Sequence, residues 1–585
     1  MSPHANSIVL IPELMSLVFS HLDQRSVART ATVSVLWAEM ALDSVWRNVD
    51  DIRRLLFLLA PLVAEKQSGS HLLPGHIFRF KKGATLNWQS FDRYAPRVRR
   101  LQHDEAKRKF IDSSVWDDMV KAKRAGHFLP NLQTLVWHAM SAENQYGSLL
   151  FAHSKVQRIS IQLHRSSLTL PYMITLSTLV KELVDLELKS DAAMRDVEPY
   201  VLPLLRCSTL QRIRAPIFFY TSSIFRQLSL CTSLRMILFS KPAEQGIGDR
   251  ADVAIFSPDL PESAFPVLEQ LSFSAHILHA AHFIRSAFSP KNISFLYVNV
   301  AALDGPLAVR NLFSTVADTC KALVEFHIDF VVCPYAPIVS PPPPLTDRPS
   351  INTFQPLLSC KCLTKFEFRW DYQLNLTQDD MEELASSWPR LEVLLLHCQP
   401  IPEHTPSALT LEALIPFAQH CPRLRELGLY IDARNVPPPL AHYTPAQVRS
   451  IPSFRSLKKL SVGASSIGSV EPVVLFLSQL CPLGCEIVSG VRWPDAFGIA
   501  LDQIGILDNR RLNMTEWWVR WTDVGKALPL ATKARLEERE RVVGWLKERM
   551  GGVVGMGGGV GAAVGDRAVN QLQAQMKDLQ AFISG

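Results

Sequence analysis

One phrase, repeated along most of the chain, limits its fold more than any other feature: an apolar residue, a second three positions later and a third two positions after that. PRLEVLLLH at 389–397 and PRLRELGLY at 422–430 are the clearest copies. The same L-x-x-L-x-L frame opens at Leu132, Val156, Leu183, Leu210, Leu234, Leu268, Ile293, Leu323, Leu363, Leu391, Leu424 and Leu457, and Val98 opens a degenerate earlier copy. Its last three residues alternate with period two, as a strand with one buried face requires. The stretches between copies, among them TQDDMEELASSW, LEALIPFAQHC and EPVVLFLSQLC, read as amphipathic helices. Pro130, Pro266, Pro389 and Pro422 each stand two residues before a phrase and mark a helix end. A closed or doubly wound α/β sheet does not restate one frame a dozen times. An array does, each repeat burying its apolar face only against its neighbours. The fold class expected is therefore α/β, a solenoid with parallel strands inside and helices outside. Intervals between copies run from 24 residues (Leu132 to Val156) to 40 (Leu323 to Leu363). Strand-and-helix repeats need only about 20–29, so the longer intervals carry insertions.

Residues between the buried positions of each phrase are expected on the open inner face: Arg158, Asp185, Glu187, Lys189, Arg212, Arg214, Glu325, His327, Asp329, Lys365, Glu367, Arg369, His397, Glu426, Tyr430 and Lys459. Seven are Lys or Arg and six are Asp or Glu. A nucleic-acid groove carries one dominant sign, so this balance points to a protein ligand. Arg212 and Arg214 make a basic spot, Glu325 and Asp329 an acidic one, and Phe295 and Tyr297 are aromatic anchor candidates. With His327, Lys365, Arg369, His397 and Tyr430 they form the candidate target-binding set. The proline-rich insertions VVCPYAPIVSPPPPLTDRPS and VPPPLAHYTP read as irregular spacers or recognition loops.

Composition excludes several other classes. A formal charge of +6 on 585 residues demands neither a nucleic-acid stripe nor a membrane-surface patch. The strongest apolar run, LLFLLAPLVA at 55–64, falls far short of the about 20 residues a membrane helix needs. Ten cysteines without a hydrophobic leader point to reduced thiols in the cytoplasm or nucleus. Cys360-Lys361-Cys362 and Cys481 to Cys485 lack a matching pair at zinc spacing, so no metal site is expected. Cys421 and Cys481 precede prolines at helix ends, where packing explains them. Hydrolase, kinase, metalloprotease and Walker A motifs are missing, so no catalytic residue and no cofactor is expected. The basic run between Arg93 and Arg124 is interleaved with Asp and Glu and reads as a solvated surface.

The N-terminal stretch IPELMSLVFSHL poses a different problem. Pro12 suits a first helical turn and Glu13 favours the positive helix end. Ile11, Leu14, Val18 and Leu22 fall on one helical stripe, and Met15 and Phe19 on a second beside it, an arc too wide for one neighbour to cover. Asp23 caps a second helix, Ser34 a third, and Asp43 stands in capping position for a last short turn. Val27, Ala31, Val33, Leu36, Trp37, Leu42 and Trp46 add more apolar surface than so small a unit buries alone.

This stretch resembles an F-box. The pattern is met by Ile11-Pro12, Val18-Phe19, Leu22-Asp23, Val33 to Trp37, and Val45-Trp46; Val35 departs from it, since many F-boxes carry Lys or Arg there. The resemblance implies docking on a Skp-family adaptor and, through it, a cullin-RING ubiquitin ligase. It implies an adaptor-binding set of Ile11, Pro12, Leu14, Met15, Val18, Phe19, Leu22, Leu36, Trp37 and Trp46. The repetitive region resembles the irregular leucine-rich-repeat horseshoe of F-box proteins. Together they imply a non-catalytic substrate receptor, monomeric within the complex, with a target protein held on the solenoid. The alternative is a leucine-rich scaffold without ligase function. Expected domains are an F-box module (1–50), a helical linker (51–95), the solenoid (96–500), a helical cap (501–550), a glycine-rich linker (551–567) and a short amphipathic tail (568–585). Thr515 is expected to cap the C-terminal helix and Gly551-Gly552 to end it; Val569, Leu572, Met576 and Leu579 form a seam in the tail.

Overall fold

The computed structural model describes residues 11–66, 76–107, 109–122, 126–190, 192–240, 249–286, 292–302, 304–330, 343–370, 372–396, 400, 407–436, 453–490 and 508–555. The chain divides into two compact units, Met1–Ser274 and Ala275–Gly585. His397, most of both proline-rich insertions, and the tail from 556 onward, with Val569, Leu572, Met576 and Leu579, lie outside the described residues.

The first unit opens with three helices, α1 (Pro12–Ser20), α2 (Gln24–Thr30) and α3 (Val35–Arg47). The Asp23 carboxylate accepts from the Arg25 and Ser26 amides at 2.9 and 3.0 Å, and Ser34 Oγ accepts from the Trp37 amide at 3.2 Å. Both caps stand where the sequence places them. Asp43 does not cap a separate turn: no breaker lies between Leu42 and Trp46, so α3 runs through to Arg47.

The first unit's strands are β1 (Asn48–Val49), β2 (Leu62–Lys66), β3 (His76–Phe80), β4 (Arg100–Asp104), β5 (Lys109–Ile111), β6 (Thr134–His138), β7 (Arg158–Leu163), β8 (Asp185–Ser190), β9 (Arg212–Ala215), β10 (Met236–Phe239) and β11 (Gln270–Ala275). The second unit adds β12 (Phe295–Val300), β13 (Glu325–Asp329), β14 (Lys365–Arg369), β15 (Val393–Leu396), β16 (Glu426–Leu429), β17 (Asp432–Ala433), β18 (Lys459–Gly463), β19 (Ser466–Ile467) and β20 (Glu486–Ser489). In the first unit β1-β4-β6-β7-β8-β9-β10-β11 lie side by side and parallel. In the second, β12-β13-β14-β15-β16-β18-β20 do the same.

Each phrase opens two residues before a strand, from Val98 before β4 and Leu132 before β6 to Leu457 before β18. The twelve opening residues from Leu132 to Leu457 are at most 3% exposed. First strand residues pair with first strand residues, Arg100↔Thr134↔Arg158↔Asp185↔Arg212 in one unit and Phe295↔Glu325↔Lys365↔Val393↔Glu426↔Lys459 in the other. The array is therefore unstaggered. It also begins and ends beyond the phrases. β1 has only two residues, and β20 follows Gly484, whose φ of +90° suits the glycine that replaces the apolar opener.

The helices between strands supply the rest of the core. Gln378–Ser387 starts with a Thr377–Asp380 capping box and buries Met381, Leu384 and Ala385. Val470–Leu480 buries Val473, Val474 and Leu477. In four repeats the residue three positions before the phrase adds a tie to the preceding repeat. His153 Nε2 donates to the Leu129 carbonyl at 2.9 Å, Trp388 Nε1 to the Leu357 carbonyl at 3.1 Å, Cys231 Sγ to the Cys207 carbonyl at 3.5 Å, and Cys421 Sγ to the Trp388 carbonyl at 3.6 Å.

Two stretches depart from the sequence reading. The segment 51–95 is only partly helical: Arg53–Leu59 and Trp88–Tyr94 are helices, but β2 pairs antiparallel with β3, which pairs parallel with β5. Pro61 blocks continuation of the first helix, and HIFRF offers β2 an alternating partner. The C-terminal helix spans Asp508–Gly555, so Thr515 lies inside it and Gly551 and Gly552 do not end it. No breaker precedes Thr515 from Asn509 on, and a helix already formed passes a glycine for only about 1 kcal/mol. Its buried face (Trp521, Val524, Leu528) lies on the end of the second unit, where Trp521 Nε1 donates to the Ser465 carbonyl at 3.0 Å and Arg520 to the Gly468 carbonyl at 2.8 Å.

Gly147 lies where a side chain cannot: an added Cβ would sit 2.8 Å from the Trp116 ring and 3.0 Å from that of Trp137. Gly147→Ala is expected to cost about 1–3 kcal/mol through overpacking, seen as a lower urea midpoint with unchanged secondary structure in circular dichroism.

Candidate functional site

In the N-terminal module the two stripes of α1 go opposite ways. Met15 and Phe19 turn inward and form the core with Val27 and Ala41, against which Ala31, Trp37, Met40 and Val45 pack. Phe19 meets Trp37 edge-on at 5.9 Å. Ile11, Leu14, Val18 and Leu22 face outward, with Val18 51% exposed, and Leu36 on α3 is exposed as well. Pro12 occupies the first helical position. Leu17, Val33 and Val35 join the exposed apolar set, Val35 at 84%. The adaptor-binding expectation omitted these three; Leu17, three residues after Leu14 and one before Val18, was the readable signal. So dense an outward apolar set makes this face the candidate docking surface of the module.

Trp46 does not share this outward face. It stacks on Tyr94 at 4.8 Å, with the Arg54 guanidinium 5.1 Å from its ring, and so ties α3 to the segment that follows. Arg97 makes the second tie, pairing with both Glu39 and Asp43 on α3. One residue of the supposed solvated run is thus a half-buried clamp. A polar cleft of about 1130 Å³ lies alongside, bordered by Ser20, Gln24, Asp43, Arg47, Arg93 and Arg97.

The strand faces that carry the expected charged set differ between the two units. In the first unit Arg100, Thr134, Arg158, Asp185 and Arg212 form one row across β4, β6, β7, β8 and β9. Gln102, Val136, Ser160, Glu187 and Arg214 form the next. Asp185 takes both Arg212 (3.1 Å) and Arg214 (3.7 Å). Arg100 is an addition to the sequence-derived set.

In the second unit the expected residues meet. Phe295, Glu325 and Lys365 are aligned, as are Tyr297, His327 and Glu367, and then Asp329 and Arg369. His327 Nδ1 lies 2.9 Å from Glu367, and its ring is 5.2 Å from Phe295 and 5.8 Å from Tyr297. Arg369 spans Glu367 (2.9 Å) and Asp329 (3.5 Å), and the Tyr297 hydroxyl donates to Asp329 at 3.3 Å. Phe295, Tyr297, Glu325 and Lys365 are half-buried, Arg369 is exposed, and His327 and Asp329 are buried, so these two help to order the patch rather than to contact a ligand broadly. Tyr430 is half-buried two strands away on β16's C-terminal side.

Among the described residues no group of three or more His, Cys, Asp or Glu is placed to hold a metal ion, and no helix is long and apolar enough to cross a membrane. Burial pushes the thiols of Cys231 and Cys320 up to about 11 and that of Cys421 up to about 12, leaving them protonated hydrogen-bond donors at neutral pH.

The second-unit cluster predicts a pH response. Burial opposes a charged His327, but the carboxylates of Glu325 and Glu367 outweigh it and raise the imidazole above its ordinary 6.5. Burial likewise opposes a charged Glu367, yet His327 and Arg369 hold it at about 2, below the ordinary 4.5. His327 therefore stabilises the fold below pH 6.5 and loses that contribution as pH rises through its folded pKa; Glu367 contributes above 4.5 and loses it as pH falls towards 2. The thermal midpoint should fall between about pH 6 and about pH 8, and His327→Gln should remove that part of the dependence.

Comparison with curated proteins finds no match to the chain. A family model described as F-box-like matches residues 12–51, the three-helix module together with the first strand, and the chain thus carries an F-box-like domain there.

Proposed function

We propose that the chain is the substrate-recognition subunit of a Skp-cullin-F-box ubiquitin ligase, with the F-box-like domain docked on a Skp-family adaptor and a leucine-rich-repeat array holding a target protein. The observation that carries this reading is that the F-box-like domain buries Met15 and Phe19 but leaves Leu14, Leu17, Val18 and Leu36 in water. The adaptor-binding set divides accordingly: Ile11, Leu14, Val18, Leu22 and Leu36 contact the adaptor, joined by Leu17, while Met15, Phe19 and Trp37 hold that face in shape and Trp46 anchors it to the following segment. The parallel, unstaggered strands support a repeat array whose inner face presents side chains in rows.

In this reading the chain does no chemistry itself. It raises the effective concentration of a target near a ubiquitin-charged enzyme supplied by other subunits. Arg212, Arg214, Phe295, Tyr297, Glu325, Lys365, Arg369 and Tyr430 are the target-facing candidates, and the compartment is cytoplasmic or nuclear.

Co-purification with a Skp-family adaptor tests the assignment. The full chain should retain the adaptor, and a chain lacking residues 1–50 should not. Val18→Asp with Leu36→Asp should abolish retention while leaving the thermal midpoint unchanged, because both positions are exposed. Phe19→Ala should instead destabilise the module by about 3–5 kcal/mol. A folded full chain that retains no adaptor would make the protein an interaction scaffold without ligase function.

A further inference from the structure

The inner face of the first unit carries a charge arrangement that the proposed target-binding role does not by itself specify. Arg100, Arg158 and Arg212 occupy the same register position on β4, β7 and β9. Among the strands of this sheet β6 separates the first two and β8 the last two, so successive arginines are two strands apart. Strands lie about 4.8 Å apart, which puts the guanidinium stems about 9.6 Å from one another. Arg100 and Arg158 are exposed and have no ion-pair partner among the described residues; Arg100 makes only a long contact of 3.4 Å to Gln102. Arg212 and Arg214 share the single carboxylate of Asp185, and Glu187 stands beside Arg214 in the second row. Four arginines thus face two carboxylates. In the second unit, by contrast, Arg369 is neutralised by Glu367 and Asp329.

Resting on the reading that this face holds the target, we infer that it takes an acidic segment in polyproline-II conformation with a carboxylate at every third residue, laid across the strands so that successive carboxylates meet Arg100, Arg158 and Arg212. A polyproline-II chain repeats every three residues and rises about 9.3 Å in that interval, which matches the arginine spacing. A β-extended peptide presents one face every second residue, at about 6.7 Å or twice that. An α-helix returns the same face after seven residues, at about 10.5 Å. Guanidinium groups donate to carboxylates in bidentate fashion, so spacing as well as charge selects the ligand. Thr134, between Arg100 and Arg158, supplies a hydroxyl without opposing charge, and the one carboxylate in the row, Asp185, is already held by Arg212 and Arg214.

The test is fluorescence anisotropy on the full chain with a labelled Glu-Pro-Pro repeat peptide of about twelve residues, long enough to span the three arginines, beside a block peptide of the same composition with its glutamates adjacent. The repeat peptide should bind at least about tenfold tighter than the block peptide. Arg158→Glu and Arg100→Glu should each weaken it by about tenfold or more, with an unchanged thermal midpoint since both side chains are exposed. Lys459→Glu, in the other unit, should leave it unaltered. Equal binding of the two peptides, indifference to Arg158→Glu, or displacement of the peptide by an oligouridylate of equal charge would each overturn the inference, the last by making the face a nucleic-acid groove. Adaptor co-purification on the same preparations separates the two assignments: adaptor retained without peptide binding overturns the acidic-segment inference alone, and peptide binding without adaptor overturns the ligase assignment alone.

Discussion

The pairing of each repeat with the next is what the rest of the molecule depends on. A single strand-and-helix unit has an apolar face and no partner of its own. The phrase openers from Leu132 to Leu457 are sealed only because the adjacent copy presents the same residue at the same height. The ladder of parallel hydrogen bonds holds that height without stagger, and the donors at the turn three residues earlier reinforce it. Because only the phrase has to stay in register, the chain between phrases can lengthen to 40 residues without shifting the strands. Rows of inner-face side chains then follow from backbone spacing rather than from any local preference of the residues in them.

The N-terminal module is governed by a different balance. Its core, Met15, Phe19, Val27 and Ala41, is too small to hold three helices firmly on its own. Two contacts to the following segment supplement it, the Trp46–Tyr94 stack and the Arg97 clamp on Glu39 and Asp43. With the module fastened at that end, the opposite face of α1 is free to stay apolar and open. An apolar face costs less to expose when something else secures the helices that carry it.

Electrostatics separate the two inner faces although the whole chain is nearly neutral. In the second unit acids and bases alternate closely enough to satisfy one another, with His327 and Glu367 each shifted towards the charged form by its neighbours. In the first unit arginines recur at a register position where a carboxylate intervenes only at Asp185. A net charge of +6 conveys none of this, since it averages faces that different ligands would meet separately.

What the sequence determined by itself was whatever depends on neighbours close along the chain. The strand starts, two residues after each phrase from Val98 to Leu457, were legible because strand alternation is local. So were the caps at Asp23 and Ser34, which act on amides two or three residues away. The turn cysteines were legible as packing residues for the same reason. Tertiary structure decided everything that turns on the identity of a distant partner. Which stripe of α1 faces inward depends on Val27 and Ala41; Trp46 is withdrawn from the surface by Tyr94; Arg97 becomes a clamp only once α3 lies beside it. The strands β2 and β3 form because each supplies the other's ladder, and β1 and β20 exist because an array continues wherever a free edge can pair, with or without the phrase that announces it. The row of Arg100, Arg158 and Arg212 belongs to the same class: 112 residues separate its ends along the chain, and only the ladder of strands brings them into line.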